Sequence, residues 1–117
     1  MERTITINGA AVPMKATAST LRRYRAQYGR DLLEDFPQIQ AAMAAGGAQN
    51  GKALDMVSDL AFIMAKQADP QGVPGDPVEW LDSFEVWNVA DFAADVVFLW
   101  AESQGFTSEA EGEAKNG

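Results

Sequence analysis

The dipeptide Asn8-Gly9 separates the alternating run RTITI from AAVPMK. Asn-Gly between two extended runs favours a two-residue type I′ hairpin, because both central positions need positive φ. That loop length sets the register. Ile7 faces Ala10, Ile5 faces Val12 and Arg3 faces Met14, which places Ile5, Ile7, Ala10, Val12 and Met14 on one face. Pro13 then faces Thr4 in a non-hydrogen-bonded pair, where its missing N–H points away from the partner strand. It also stops a third strand from adding on that side, so the second strand is expected at an edge. A lone hairpin is marginal in water, so its apolar face must pack on helices.

Beyond the hairpin the period changes from two to between three and four. Leu21, Tyr24 and Tyr28 fall on one face of a helix, with Ser19 or Thr20 as N-cap and Gly29 as left-handed C-terminal cap. Asp31 is expected to cap a short second turn carrying Leu32, Leu33 and Phe36. Pro37 is expected to open a further helical piece, PQIQAAMAA, that ends at Gly46-Gly47. GGAQNG reads as a flexible connection. Residues 52–68 are apolar on nearly all sides, which marks a central helix. Asp76-Pro77-Val78-Glu79 combines an N-cap with proline at the first helical position, and should start a short helix carrying Trp80, Leu81 and Phe84. From there Asn88 caps a second helix to about Ser103, or one helix runs through. The segment after residue 103 is small, polar and acidic. The expectation is one mainly α-helical α+β domain over residues 1–103, with about four helices and an N-terminal β-hairpin, and a disordered tail over 104–117.

Composition narrows the chemistry. The 117 residues are 47% apolar, enough for one core, and include neither cysteine nor histidine. Disulfides, thiolate metal sites, and Ser-His and Cys-His catalysis are excluded. The formal net charge of −8 opposes nucleic acid and anionic membrane surfaces as partners. No apolar run approaches the ~20 residues of a membrane span. The N-terminus lacks the pattern of a signal peptide. A binding protein is therefore expected rather than an enzyme, with no cofactor and no metal.

Three constellations remain. Arg22, Arg23, Arg25 and Arg30 are interleaved with Tyr24 and Tyr28, which reads as a phosphate-binding patch or as a solvated helix face. Asp31, Glu34 and Asp35 lie close enough to neutralise part of the cluster, so the solvated face is preferred and an acidic protein partner stays open. Asp82, Glu85, Asp91 and Asp95 recur at helical spacing opposite apolar residues, as a solvated face does; a metal-binding stripe would gather ligands from several elements. Trp80, Trp87 and Trp100 fall within twenty-one residues and read as core, as partner anchors, or as both. Partner binding is accordingly assigned to Trp80, Trp87, Trp100, Arg22 and Arg25. The glycine-containing loops match neither the Walker nor the GxGxxG pattern.

Taken in order, three segments resemble the tail assembly chaperones of long-tailed (siphovirus-type) bacteriophages, in the branch common among phages of Gram-positive hosts. They are the opening TITINGAAVPMKAT, the pattern Tyr24-Arg25 with Tyr28-Gly29-Arg30-Asp31, and the back half from Val78-Glu79-Trp80-Leu81-Asp82-Ser83-Phe84 to Leu99-Trp100. The resemblance covers roughly residues 3–103. It implies a protein of the infected host's cytoplasm, absent from the mature virion. Such a protein binds the long tape measure protein, keeps it soluble and helps recruit tail tube subunits. Many members also exist in a longer form made by ribosomal frameshifting. The resemblance supplies no residue-level site. Two alternatives stand beside it. One is another small phage or prophage structural protein, such as a head–tail completion or tail-terminator component. The other is an enzyme built from carboxylates and arginines alone.

Overall fold

The computed structural model describes residues 1–44 and 51–105. The strands β1 (Glu2–Ile7) and β2 (Ala10–Lys15) are followed by five helices: α1 (Thr20–Tyr28), α2 (Leu32–Ala44), α3 (Gly51–Ala68), α4 (Pro77–Asp82) and α5 (Val89–Ser103). The protein is α+β and mainly helical. The expected flexible connection, residues 46–51, lies outside the described residues except for Gly51, which opens α3, and nearly all of the expected tail, residues 106–117, lies outside them too.

The hairpin has the register that the turn dictates, including Ile5 opposite Val12 and Thr4 opposite Pro13. Asn8 and Gly9 sit at φ 53° and 83°, as a type I′ turn requires. A further pair of bonds extends the ladder, because Ala16 N donates to Met1 O (2.8 Å) and the Met1 ammonium donates to Ala16 O (2.9 Å). Ile5, Ile7, Val12 and Met14 are buried, with β2 lying on α3 and β1 on α5. Ala10 shares their face yet is exposed, although Ile7 opposite it is buried.

Helix α1 ends at Gly29, whose φ of 70° lets its N–H reach back to Arg25 O. Ser19 occupies the N-cap position without a side-chain cap bond. The Thr20 hydroxyl instead donates to Gln67 Oε1 (2.7 Å), tying the start of α1 to the end of α3. Asp31 caps α2 as expected, its carboxylate accepting from Leu33 N (3.0 Å). The expected break at Pro37 is corrected. Pro37 lies inside one continuous helix. It falls just past the first turn, so the only helical bond it withholds is the one to Leu33 O, and Leu33 is exposed to solvent.

Helix α3 is the centre of the molecule, with ten of its eighteen residues buried. Helices α1, α2, α4 and α5 and strand β2 all pack on it. Asp76 caps α4 through Glu79 N (3.3 Å), with Pro77 at the first helical position. The helix stops at Asp82, and the Ser83 hydroxyl turns back onto Trp80 O (2.6 Å). Residues 83–88 then cross to α5 without forming a helix, so α4 and α5 are separate. The acidic residues 82–95 therefore do not share one helix.

The left-handed cap is open to test. Nothing lies within 4 Å of a Cβ built on Gly29, so Gly29→Ala incurs backbone strain and no collision. It is expected to lower stability by about 1 kcal/mol, read from urea unfolding.

Candidate functional site

The three tryptophans are embedded to different depths. Trp100 is 0% exposed and meets Phe36 edge to face at 4.7 Å between ring centres. Trp80 is 4% exposed and packs against Phe62 of α3 at 5.8 Å. Trp87 is half-buried, and its Nε1 donates to Ser58 Oγ (2.8 Å). Of the two readings left open for these rings, core or partner anchor, burial places Trp80 and Trp100 in the core. Trp80 and Trp100 are filled from every side by the chain's own residues, because a domain this small uses its largest rings to complete its core. Only Trp87 keeps an edge near solvent. Trp80, Phe84, Trp87 and Phe92 form a chain of ring contacts that binds α4, the 83–88 segment and the first turn of α5 together.

The arginines divide sharply. Arg22, Arg23 and Arg25 are exposed on α1 and make no ion pair among the described residues. Arg30 is a structural clamp. Its Nε donates to Asp35 Oδ2 (2.9 Å) on α2, and its Nη2 to Asp59 Oδ2 (2.6 Å) on α3 and to the Tyr24 hydroxyl (2.8 Å) on α1. Tyr24 in turn donates to Asp35 Oδ2 (2.7 Å), and the Tyr28 hydroxyl donates to Asp59 O (3.0 Å). The guanidinium also lies over both tyrosine rings, 5.5 Å and 5.3 Å from their centres. Burial, then the bond to Asp35, pushes the Tyr24 phenol above the ordinary tyrosine range, so it stays a donor at neutral pH. Burial raises the Asp59 carboxyl above the ordinary aspartate value of 3.8, while Arg30 pulls it down and Asp55 and Asp35 push it up. Sequence reasoning missed Asp59. An acid inside the otherwise apolar run of α3 was the available signal.

The carboxylates of the 82–95 region are exposed and do not converge. No group of three or more acids among the described residues is placed to hold a metal ion. Nor is any described helix long and apolar enough to cross a membrane. A cavity of about 250 Å³ between α1 and α3 is lined by Arg23, Gln27, Phe62, Ile63, Lys66 and neighbours. Lys66 is already committed there, its Nζ donating to Pro70 O (2.9 Å) and Val73 O (2.6 Å) and holding the loop that follows α3.

A small apolar cleft lies among the described residues near the end of α2 and the starts of α3 and α5. Met43 comes from α2, Leu54 and Val57 from α3, and Val89, Ala90 and Ala93 from α5; every lining residue is nonpolar. The cleft holds about 30 Å³. Ala90 is exposed at its rim, while Ala53 and Ala93 are buried. None of its lining residues carries a polar side chain. No family model, no curated protein and no solved structure matches this chain.

The clamp generates two expectations. Tyr24→Phe removes a buried hydroxyl on which both Arg30 and Asp35 rely, and is expected to destabilise the fold by about 1–3 kcal/mol in urea unfolding. Asp59 binds its proton more tightly folded than unfolded. Its titration therefore contributes stability that is full below the unfolded value of 3.8 and is lost as pH rises through the higher folded value. The stability of the wild type minus that of Asp59→Asn should fall between pH 3 and pH 7, measured by urea midpoints at each pH.

Proposed function

We propose that the protein is a phage tail assembly chaperone, a non-catalytic binder of the tape measure protein in the host cytoplasm. The observation that carries this reading is the wholly apolar cleft between α2, α3 and α5. A long helical protein that must stay soluble before assembly presents rows of apolar side chains, and docking them between helices covers them. The net charge of −8 keeps such a complex dispersed. The order of the hairpin, the Tyr-Gly-Arg-Asp turn and the back half supports the same assignment through the family it resembles. Tail tube subunits are the second partner in this reading. The protein leaves before the virion is complete.

Ala90 is exposed at the mouth of the cleft and lies in the first turn of α5, where an acid is tolerated. Co-expression with the tape measure protein should move that protein from the pellet to the supernatant. Ala90→Glu should abolish the effect while the circular dichroism of the variant stays native. Unchanged solubility with the wild type would refute the chaperone reading.

A further inference from the structure

The cavity between α1 and the C-terminal half of α3 has walls of unlike chemistry. Arg23 and Ala26 line it from α1, three residues apart and so on one side of that helix. Phe62 and Ile63, both buried, give it an apolar floor, and Lys66 and Gln67 continue the α3 side. The fold holds this space open. Phe62 is backed by Trp80, 5.8 Å away between ring centres. Gln67 is bonded to both Thr17 (3.0 Å) and Thr20 (2.7 Å), which fixes the start of α1 against the end of α3. The cavity shares no lining residue with the apolar cleft between α2, α3 and α5.

The cations around it have no anionic partner. Arg22, Arg23, Arg25 and Lys66 form no ion pair among the described residues. Arg23 gives its Nε to Ser19 Oγ (2.9 Å), which leaves the far end of the guanidinium for another acceptor. Lys66 gives two of its three N–H bonds to carbonyls, Pro70 O and Val73 O, so its charge meets dipoles alone. The nearby acids of the loop after α3 are engaged elsewhere. Asp69 accepts from Gly72 N (3.0 Å) and Asp76 from Glu79 N (3.3 Å). Residues 3–30 hold six basic residues and no acidic one, so α1 is a cationic island on a chain of net charge −8. Size narrows the ligand. At about 250 Å³ the cavity falls short of the roughly 300–1,000 Å³ of small-molecule sites, and it suits one large side chain presented by a longer segment.

We propose that this face binds an acidic peptide segment, one apolar side chain of which inserts against Phe62 and Ile63 while flanking carboxylates meet Arg23 and Arg22. Ala26 follows Arg23 by three residues and Arg22 by four, so it lies between them on the helix surface. It is exposed, and its small side chain leaves room for a peptide backbone to pass. Arg25, three residues after Arg22, extends the cationic strip. Each guanidinium presents a planar fork that matches a carboxylate, and the inserted side chain sets the register of the segment. Charge governs approach and selectivity, and burial of the apolar side chain adds affinity. The net charge of the protein opposes an acidic segment at long range. At about 0.1 M salt the screening length is about 10 Å, and the arginines dominate within it. The cleft that carries the chaperone reading plays no part in this contact.

The test is fluorescence anisotropy of a labelled peptide, Gly-Glu-Glu-Phe-Glu-Glu-Gly, titrated with the full chain in about 0.1 M NaCl. Saturable binding is expected. Arg22→Glu with Arg23→Glu reverses the charge of the rim, and Ala26→Trp plugs the mouth of the cavity. Each should weaken binding at least about tenfold. All three residues are exposed and none takes part in an ion pair of the described residues, and circular dichroism checks that the variants fold. If a variant fails to fold, two altered peptides decide with the wild type. Glycine in place of the phenylalanine, or lysine in place of every glutamate, should each weaken binding at least about tenfold. No saturation at about 1 mM protein, or equal binding of the altered peptides, overturns the proposal. So does displacement of the peptide by an equal concentration of inorganic phosphate or of a short single-stranded RNA, which assigns the arginines to phosphate.

Discussion

A helix that is apolar around nearly its whole circumference cannot lie on a surface, and α3 imposes that constraint on everything else. Each flank of it needs a cover. The hairpin supplies one, α1 and α2 supply a second, and α4 and α5 supply the third. Full burial of one large aliphatic or aromatic side chain is worth about 1.5–3 kcal/mol, and a domain of this size is stable by only about 5–15 kcal/mol. Losing any single cover would therefore remove much of the stability. That is why short elements such as α4, with six residues, persist: they are held by what they bury, not by their own helical tendency.

How much of this could be read from the sequence depended on distance along the chain. The Asn8-Gly9 turn, the Gly29 cap and the Asp76-Pro77 start are decided within four or five residues, and all three formed as local chemistry required. Pro37 was misread for the same reason. Its local effect is real, but beyond the first turn it removes one bond, and the burial of Phe36 and Ile39 along the continuous helix outweighs that. Arg30 pairs with Asp59 across 29 residues of sequence, which no periodicity can foresee. The tryptophans were ambiguous because ring type alone does not distinguish an anchor offered to a partner from one consumed by the core. The apolar cleft was also hidden, being shared among three helices whose individual patterns look ordinary.

The polar residues sort into two populations. Arg30, Tyr24, Asp35 and Asp59 are joined in one network that fixes how α1, α2 and α3 meet. A network of this kind stabilises only while every member is satisfied, so it fixes geometry as much as it adds energy. The exposed arginines of α1 and the acids of α4 and α5 are left out of it. By holding α1 rigidly, the buried set determines the direction in which the exposed set points. The residues that line the apolar cleft belong to neither of these two polar sets.

The graded burial of Trp100, Trp80 and Trp87 has an optical consequence. Indole emission shifts to the red and becomes accessible to collisional quenchers as water reaches the ring. Trp100 lies sealed against Phe36, whereas Trp87 hangs from α3 by a single bond to Ser58 at the edge of the irregular 83–88 segment. Of the three tryptophans, Trp87 and Trp100 thus have different thresholds. One reports the loosening of a single segment, and the other stays dark to the quencher until the whole core gives way.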